Sequence, residues 1–309
     1  MADPINEQAG SAVEETYEKV RAGFAAVTDP DGALLQVAPQ IRVIGLRSPT
    51  LPPAAHTNCY VVGPTEGPGP LLLVDPGSPY PGSQHLLDSL LEAEQAAGRV
   101  PHAVLLTHHH SDHTGGAAHL QNRWNIEILA HETTARLLGS RVRVDRAVAP
   151  GALRVGDLTL ELVFTPGHAA GHLCVAVDAA KATLAGDLVA GIGTILIDPD
   201  EGDMAEYLAS LEHLAQRGPA ALLPAHGPMI PDGLGKLRAY RAHRLAREQK
   251  IADALGAHGR ATAEELVPLA YADTPPPFWP LAVRSTLAHL VKLEREGRAH
   301  RDGARWVAG

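Results

Sequence analysis

Cysteine is nearly absent: Cys59 and Cys174 are the two in 309 residues. Two thiols cannot build a disulfide framework, they do not read as a zinc thiolate pair, and their scarcity fits a reducing compartment. Long apolar runs are missing too, since no stretch approaches the about 18–20 residues that a membrane span needs. The opening MADPINEQAG has neither the basic stretch nor the apolar run of a secretion signal, so the chain is expected to stay in the cytoplasm, away from membranes. Two catalytic signatures are absent as well. Without GxSxG a serine nucleophile of the α/β-hydrolase kind has no support, and no GxxxxGK follows Gly191 and Gly193 to make a phosphate loop.

What is present is an ordinary globular composition, 45% hydrophobic and 20% charged, which excludes disorder for the bulk of the chain. The net charge of −9 disfavours charge-driven nucleic-acid binding over the whole surface. Its distribution is uneven: residues 241–309 carry 11 Lys+Arg against 8 Asp+Glu, whereas residues 1–240 carry 15 against 27. The count that most needs explaining is 17 histidines.

Residues 11–27 read as a helix, with Val13, Tyr17, Val20 and Phe24 on one face. Short β-like runs follow at 41–46, 58–62 and 71–74, separated by Pro- and Gly-rich stretches. A helix is expected over 83–97 and a buried strand over 103–107, and the alternation continues to about residue 235, which describes a layered α/β domain. The last 69 residues differ. Helices are expected over 237–255, 263–271 and 281–296, the second opened by a Thr262/Glu265 capping box. Two strands, 298–301 and 304–307, flank the turn dipeptide Asp302-Gly303. Three helices and a hairpin describe a winged helix. The expected division is a helical extension over 1–38, a main domain over 39–238 and a winged-helix-like domain over 239–309.

Directly after the buried strand comes THHHSDHTGG, residues 107–116. His108 and His110, two apart in extended chain, can point the same way, with Asp112 and His113 following at a helix start. Imidazoles and carboxylates at this density suit zinc or another borderline divalent ion. Further on, TPGHAAGH (165–172), AGDL (185–188) and PAHG (224–227) each place a His or Asp beside Gly after an apolar run. Each alone is weak, and Asp187 alone would read as a helix cap; in this order they reinforce one another.

Together these motifs resemble the metallo-β-lactamase superfamily, whose HxHxDH motif stands here as His108, His110, Asp112 and His113. The resemblance implies a four-layer αββα sandwich holding two divalent ions, Zn2+ first, with Mn2+ or Fe2+ also compatible. It implies that His108, His110 and His168 bind one metal, that Asp112, His113 and His226 bind the other, and that Asp187 bridges them. A metal-bound hydroxide is then the expected nucleophile. His172 is the competing candidate in its motif and is read as supporting the ligands, while Asp75 matches the family's buried supporting aspartate. Asp112, His172 and Asn58 are the catalytic candidates, although a structural Asn at a strand edge fits position 58 equally well. Asp187, where the main zinc β-lactamases carry Cys, argues against antibiotic hydrolysis and points to the glyoxalase II, thioesterase and RNase branch.

Thr57-Asn58-Cys59-Tyr60, the metal motifs and the winged-helix tail occur over residues 40–309 in the order found in the β-lactamase-like protein 2 family. Cys59 departs from the usual Thr, and the helix ending at residue 27 has no match. That family includes a single-strand-directed endoribonuclease, and a related fungal branch includes thioesterases acting on acyl carrier protein. The first expectation is therefore phosphodiester cleavage of single-stranded RNA. The alternative is hydrolysis of a small thioester on acyl carrier protein, coenzyme A or glutathione. A metal-stabilised interaction module is the reading from another class.

Around the site, His109 is expected to face away from the ligands, and residues 191–196 to wall the substrate cleft. Arg141, Arg143 and Arg146 are cleft cations or a solvated face. In the last helix Val283, Leu287, Leu290 and Val291 are expected to be buried, leaving Arg284, Lys292 and Arg295 outside for phosphate. Packing or homodimerisation is the other use for such a domain.

Overall fold

The run from Leu71 to Val74 has no polar residue, and its alternation explains the architecture: Leu72 and Val74 enter one core while Leu71 and Leu73 enter another. Apolar on both faces, such a strand belongs between two layers. The computed structural model describes residues 32–309, so the helix expected over 11–27 lies outside the described residues.

One sheet has seven strands in chain order: β1 (Leu35–Ala38), β2 (Ile41–Arg47), β3 (His56–Val62), β4 (Gly69–Val74), β5 (Arg99–Leu106), β6 (Glu127–His131) and β7 (Arg146–Val148). The first four pair antiparallel and β4 to β7 pair parallel. The helices between them are α1 (Pro81–Ala96), α2 (Ser111–Thr114), α3 (Ala117–Trp124) and α4 (Glu132–Leu138). The second sheet holds β8 (Gly151–Val155), β9 (Leu158–Phe164), β10 (Leu173–Val177), β11 (Ala182–Gly186) and β12 (Ala221–Pro224), ordered β12-β11-β10-β9-β8. Between the sheets, Tyr60, Val62, Leu105 and Leu129 meet Leu160, Leu162, Val175 and Leu184. Leu87 and Leu91 of α1 and Leu120 of α3 cover the outer face of the first sheet. The second sheet is covered by Tyr207, Leu211 and Leu214 of α5 (Met204–Gln216) and by Leu237 and Tyr240 of α6 (Gly233–His258). These are the four layers expected.

The winged helix adds β13 (Arg260–Ala261), α7 (Ala263–Ala270), α8 (Trp279–Arg295), β14 (Ala299–Asp302) and β15 (Arg305–Ala308) around Ile251, Leu266, Leu290, Leu293 and Trp306. The capping box is formed: Glu265 N donates to Thr262 Oγ1, and Thr262 N to Glu265 Oε2. Among the described residues, no helix is long and apolar enough to cross a membrane.

Several sequence expectations need correction. The hairpin turns at Gly303-Ala304, one residue late: Asp302 pairs with Arg305, and only Gly303 has positive φ, the type II′ pattern. Strand β1 pairs with β2, so Leu35–Ala38 is an edge of the main domain and not part of an extension. The boundary expected at 238/239 falls inside α6, which starts earlier than expected because the Asp232 carboxylate accepts the Gly235 N–H and caps it despite two glycines. Arg284, Lys292 and Arg295 are not left free for phosphate. Arg284 pairs with Asp198 and Asp200, Arg295 with Asp203, and Lys292 is buried on Glu248. The reason is that α8 turns this face toward the main domain, with Ala288 inside the core of the second sheet.

Candidate metal centre

Chain direction gathers the site. Strands β4, β5, β9, β11 and β12 all end at one edge of the sandwich, and their following loops carry Asp75, residues 107–113, His168, Asp187 and His226. Antiparallel β3 begins at that same edge with His56, Thr57 and Asn58. Close approach here demands Gly186, whose φ is +48°; a Cβ would lie 2.5 Å from His172 Nε2.

Three imidazole nitrogens converge. His108 Nε2 lies 3.0 Å from His110 Nδ1 and 3.3 Å from His168 Nε2, and the last two are 3.0 Å apart. Nitrogens tetrahedrally bound to zinc at its usual bond length sit about 3.3 Å apart, so this tripod matches a cation's shell. Beside it, His226 Nε2 is 3.4 Å from Asp112 Oδ2, and His113 Nε2 is 3.9 Å from Asp112 Oδ1. Asp187 spans both groups. Its Oδ2 is 3.5 Å from His168 Nε2, and its Oδ1 is 3.3 Å from His226 Nε2 and 3.5 Å from His113 Nε2. All seven expected ligands are thus brought together, in overlapping groups able to hold a metal ion: His108, His110 and His168; Asp112, His113 and His226; and His108, His113 and Asp187, while His109, His110 and Glu201 form a fourth such group.

The fit is also electrostatic. Asp187 Oδ1 and His113 Nε2 are buried with no hydrogen-bond partner, the condition a cation between them would relieve. Burial pushes His108 well below the ordinary histidine pKa and His168 down to about 4, with neighbouring histidines adding to it. Neutral imidazoles of this kind are what a metal needs. Burial also lowers His113 and His226, but there the carboxylates win. Asp187, Asp75 and Asp112 hold His113 well above its ordinary value, and Asp187 and Asp112 hold His226 at about 10. This point demands positive charge, from protons or from a cation.

Each ring's other nitrogen is oriented by a partner. His113 Nδ1 is 2.8 Å from Asp75 Oδ2, and the same carboxylate accepts both the N–H and the hydroxyl of Thr107. Thr107 Oγ1 in turn receives His108 Nδ1 at 3.0 Å, and His226 Nδ1 donates to His56 O. His168 Nδ1 donates to Leu196 O at 2.8 Å, and His110 Nε2 meets Glu201 Oε2 at 2.9 Å. Burial lowers His110, but Glu201 outweighs it and raises the pKa. The two remaining catalytic candidates have their polar atoms engaged in scaffolding. His172 accepts the Asp187 N–H at Nε2 and donates its Nδ1–H to Thr165 Oγ1, and its ring is fully buried. Asn58 donates both amide hydrogens, to Pro224 O and Gly227 O.

A cavity of about 630 Å³ opens over the ligands. Leu51, Pro52, Leu137, Ile192, Ile195 and Leu281 wall it, the last from the winged helix. The 191–196 loop lines it as expected, and so does Arg141, whereas Arg143 pairs with Asp145 and Arg146 with Glu127 away from it. His109 faces the cavity instead of turning away, its ring centroid 4.6 Å from that of His110. Strand β5 stops at Leu106, so strand alternation no longer governs residue 109. Glu201 was missed altogether, because DPDEGD over 198–203 carries no signal beyond an acidic loop.

The comparisons agree with this geometry. A family model described as the metallo-beta-lactamase superfamily matches residues 52–226, and one described as the beta-lactamase associated winged helix domain matches 262–306. Lactamase-like protein vrtG of Penicillium aethiopicum is 32% identical over 251 residues, 78% of this chain and 74% of that protein. A beta-lactamase-like protein 2 homolog of Drosophila melanogaster is 29% identical over 270 residues, 84% of this chain and 88% of the other. In fold, a beta-lactamase domain protein from Burkholderia ambifaria superposes with a TM-score of 0.78 at 22% identity, covering 93% of this chain and 96% of the other. The chain is a hydrolase of the metallo-beta-lactamase superfamily, with that superfamily's associated winged helix at its C-terminal end.

Proposed function

We propose that the chain is a metal-dependent thioester hydrolase, acting on a small or carrier-borne acyl group. The observation that carries this reading is the cavity wall: among the described residues it offers aliphatic side chains, the guanidinium of Arg141 and, beside the ligand candidates, His109, Asp198, Asp200 and Glu201, but no Phe, Tyr or Trp. Single-stranded RNA is held by stacking on aromatic rings and by several cations along the backbone. The cations of α8 that would supply the latter are paired with Asp198, Asp200, Asp203 and Glu248. An acyl chain fits the aliphatic wall, and Arg141 suits one anionic group on the carrier.

Two divalent cations, Zn2+ by the nitrogen-rich donor set, would activate a water at neutral pH and polarise the scissile carbonyl. His108, His110 and His168 would hold one and Asp112, His113 and His226 the other, with Asp187 shared by both. Asp112, which lines the cavity, would serve as the proton acceptor there. His172 fixes Asp187 through its backbone N–H, and Asn58 ties β3 to the loop bearing His226.

The test pairs metal-loaded wild type with Asp112→Ala on two substrates, a panel of acyl-coenzyme A and glutathione thioesters and a labelled single-stranded RNA. Thioester turnover lost in the variant, with RNA intact throughout, is expected. RNA cleavage that is sensitive to the variant at near-physiological salt, with the thioesters surviving, would overturn the acyl reading and restore the endoribonuclease.

A further inference from the structure

The segment between β11 and α5, residues 187–203, has no helix or strand of its own. A loop of that length holds one conformation only where it is tied down. Some of its ties lie within the main domain, from Gly191 N–H to His226 O, from Asp203 N–H to Gly167 O and from the Tyr207 hydroxyl to Leu188 O, and the others come from the two long C-terminal helices. The Tyr240 hydroxyl of α6 accepts the Ala190 N–H at 2.9 Å and lies within reach of the Ala190 and Gly193 carbonyls, and Arg244 donates to Ile195 O. From α8, Arg284 grips Asp198 with two nitrogens, Nε to Oδ2 at 2.8 Å and Nη2 to Oδ1 at 2.5 Å, and reaches Asp200; Arg295 pairs with Asp203.

The loop tied in this way carries the groups that orient two of the three tripod rings. Leu196 O takes the Nδ1–H of His168, and Glu201 takes the Nε2–H of His110. With Nε2 so occupied, His110 presents the Nδ1 lone pair to the tripod. The Glu201 side chain is itself 43% exposed, so its aim depends on the backbone that carries it. Asp198, three residues away and buried, is what Arg284 holds.

We propose that the winged-helix domain is a positioning clamp for the first metal site: Arg284, a positioning residue, acts through the 198–201 segment and Glu201 on His110. This rests on the ligand assignment above and not on the substrate. Its readout is metal release, which a wrong substrate leaves untouched.

The test is withdrawal of Zn2+ from the full-length, Zn-loaded chain by a chelator, with His168→Ala and His226→Ala marking the first-site and second-site phases. Arg284→Met is expected to weaken the first site about 10–100-fold and to leave the second unchanged. Arg284→Lys, keeping the charge but not the fork, recovers part of the loss. Glu201→Ala, which touches no interdomain contact, gives the same selective loss, and the double variant loses little more than either single one. Equal weakening of both sites, full additivity, or an unchanged first site in Glu201→Ala would overturn the proposal; the last outcome decides it even if Arg284→Met fails to fold.

Discussion

The two halves of the candidate metal centre are built by different parts of the molecule. Asp75 and the backbone of His56, both at the edge of the first sheet, orient His113 and His226; the Asp75–Thr107 pair extends the same control to His108. These partners sit beside strands buried on both faces, where a shift of a few tenths of an ångström disturbs close packing. His110 and His168 instead take their orientation from a loop that the C-terminal helices restrain. One half is as rigid as the sandwich, and the other depends in part on the contact between domains. Asp187 belongs to both, since it opens that loop yet follows β11 directly and is pinned by buried His172.

The largest effect should come from removing the group the halves share. Asp187→Ala is expected to lose both metals and measurable turnover, while His168→Ala loosens chiefly one ion. Metal analysis of the purified variants checks this; loss of the same single ion in both would break the assignment of Asp187 as the bridge. Next comes the rigid half. Asp75→Ala leaves Thr107 and His113 without their acceptor, and second-site affinity should fall about 10–100-fold. Thermal unfolding of the metal-free chain should also show the loss, because Asp75 is buried and holds three hydrogen bonds.

The same division explains how much the sequence revealed. The convergence of the seven candidate ligands was legible because their motifs follow apolar, strand-like runs, and such strands end where loops expose side chains. The fold was legible for the same reason: Leu71–Val74 and Val104–Leu106 alternate between two cores without a polar residue. What failed to show depends on contacts between elements distant in the chain. Arg284 looked like a free cation on the polar side of α8 because Asp198, its partner 86 residues away, looks like any loop acid. Glu201 sits 91 residues from His110 with no motif to link them. The expected outward orientation of His109 failed locally, since alternation was carried one turn past the end of β5.

A smaller effect concerns the mouth of the cavity, where both halves face substrate. Arg141→Ala should raise KM for coenzyme A thioesters about 5–10-fold with kcat nearly unchanged, the signature of lost ground-state binding of one exposed charge. Uncharged short-chain thioesters should not notice the change. A matching fall in kcat would move Arg141 from holding the carrier to the chemistry itself.

The smallest effect on the metals, and the one that isolates the clamp, lies in the winged-helix core. Glu248 is buried beside Lys292 Nζ at 2.9 Å, Arg298 at 3.1 Å and His289 at 3.3 Å. Burial alone would raise its pKa, but these donors win and hold it at about 2. A carboxylate lowered in the folded state stabilises the fold fully above its ordinary pKa of about 4.5; that stability drains away as the pH falls through the folded value near 2. Glu248→Gln should therefore cost about 1–3 kcal/mol at neutral pH and flatten the pH dependence of unfolding between about 4.5 and 2. If the winged helix clamps the loop, Glu248→Gln should free the first metal to a chelator more readily than wild type in a fluorescence-monitored Zn2+ release at neutral pH, with the second metal unchanged. A variant whose first-site release matches wild type would show that the domain's charge network and its grip on residues 187–203 are independent.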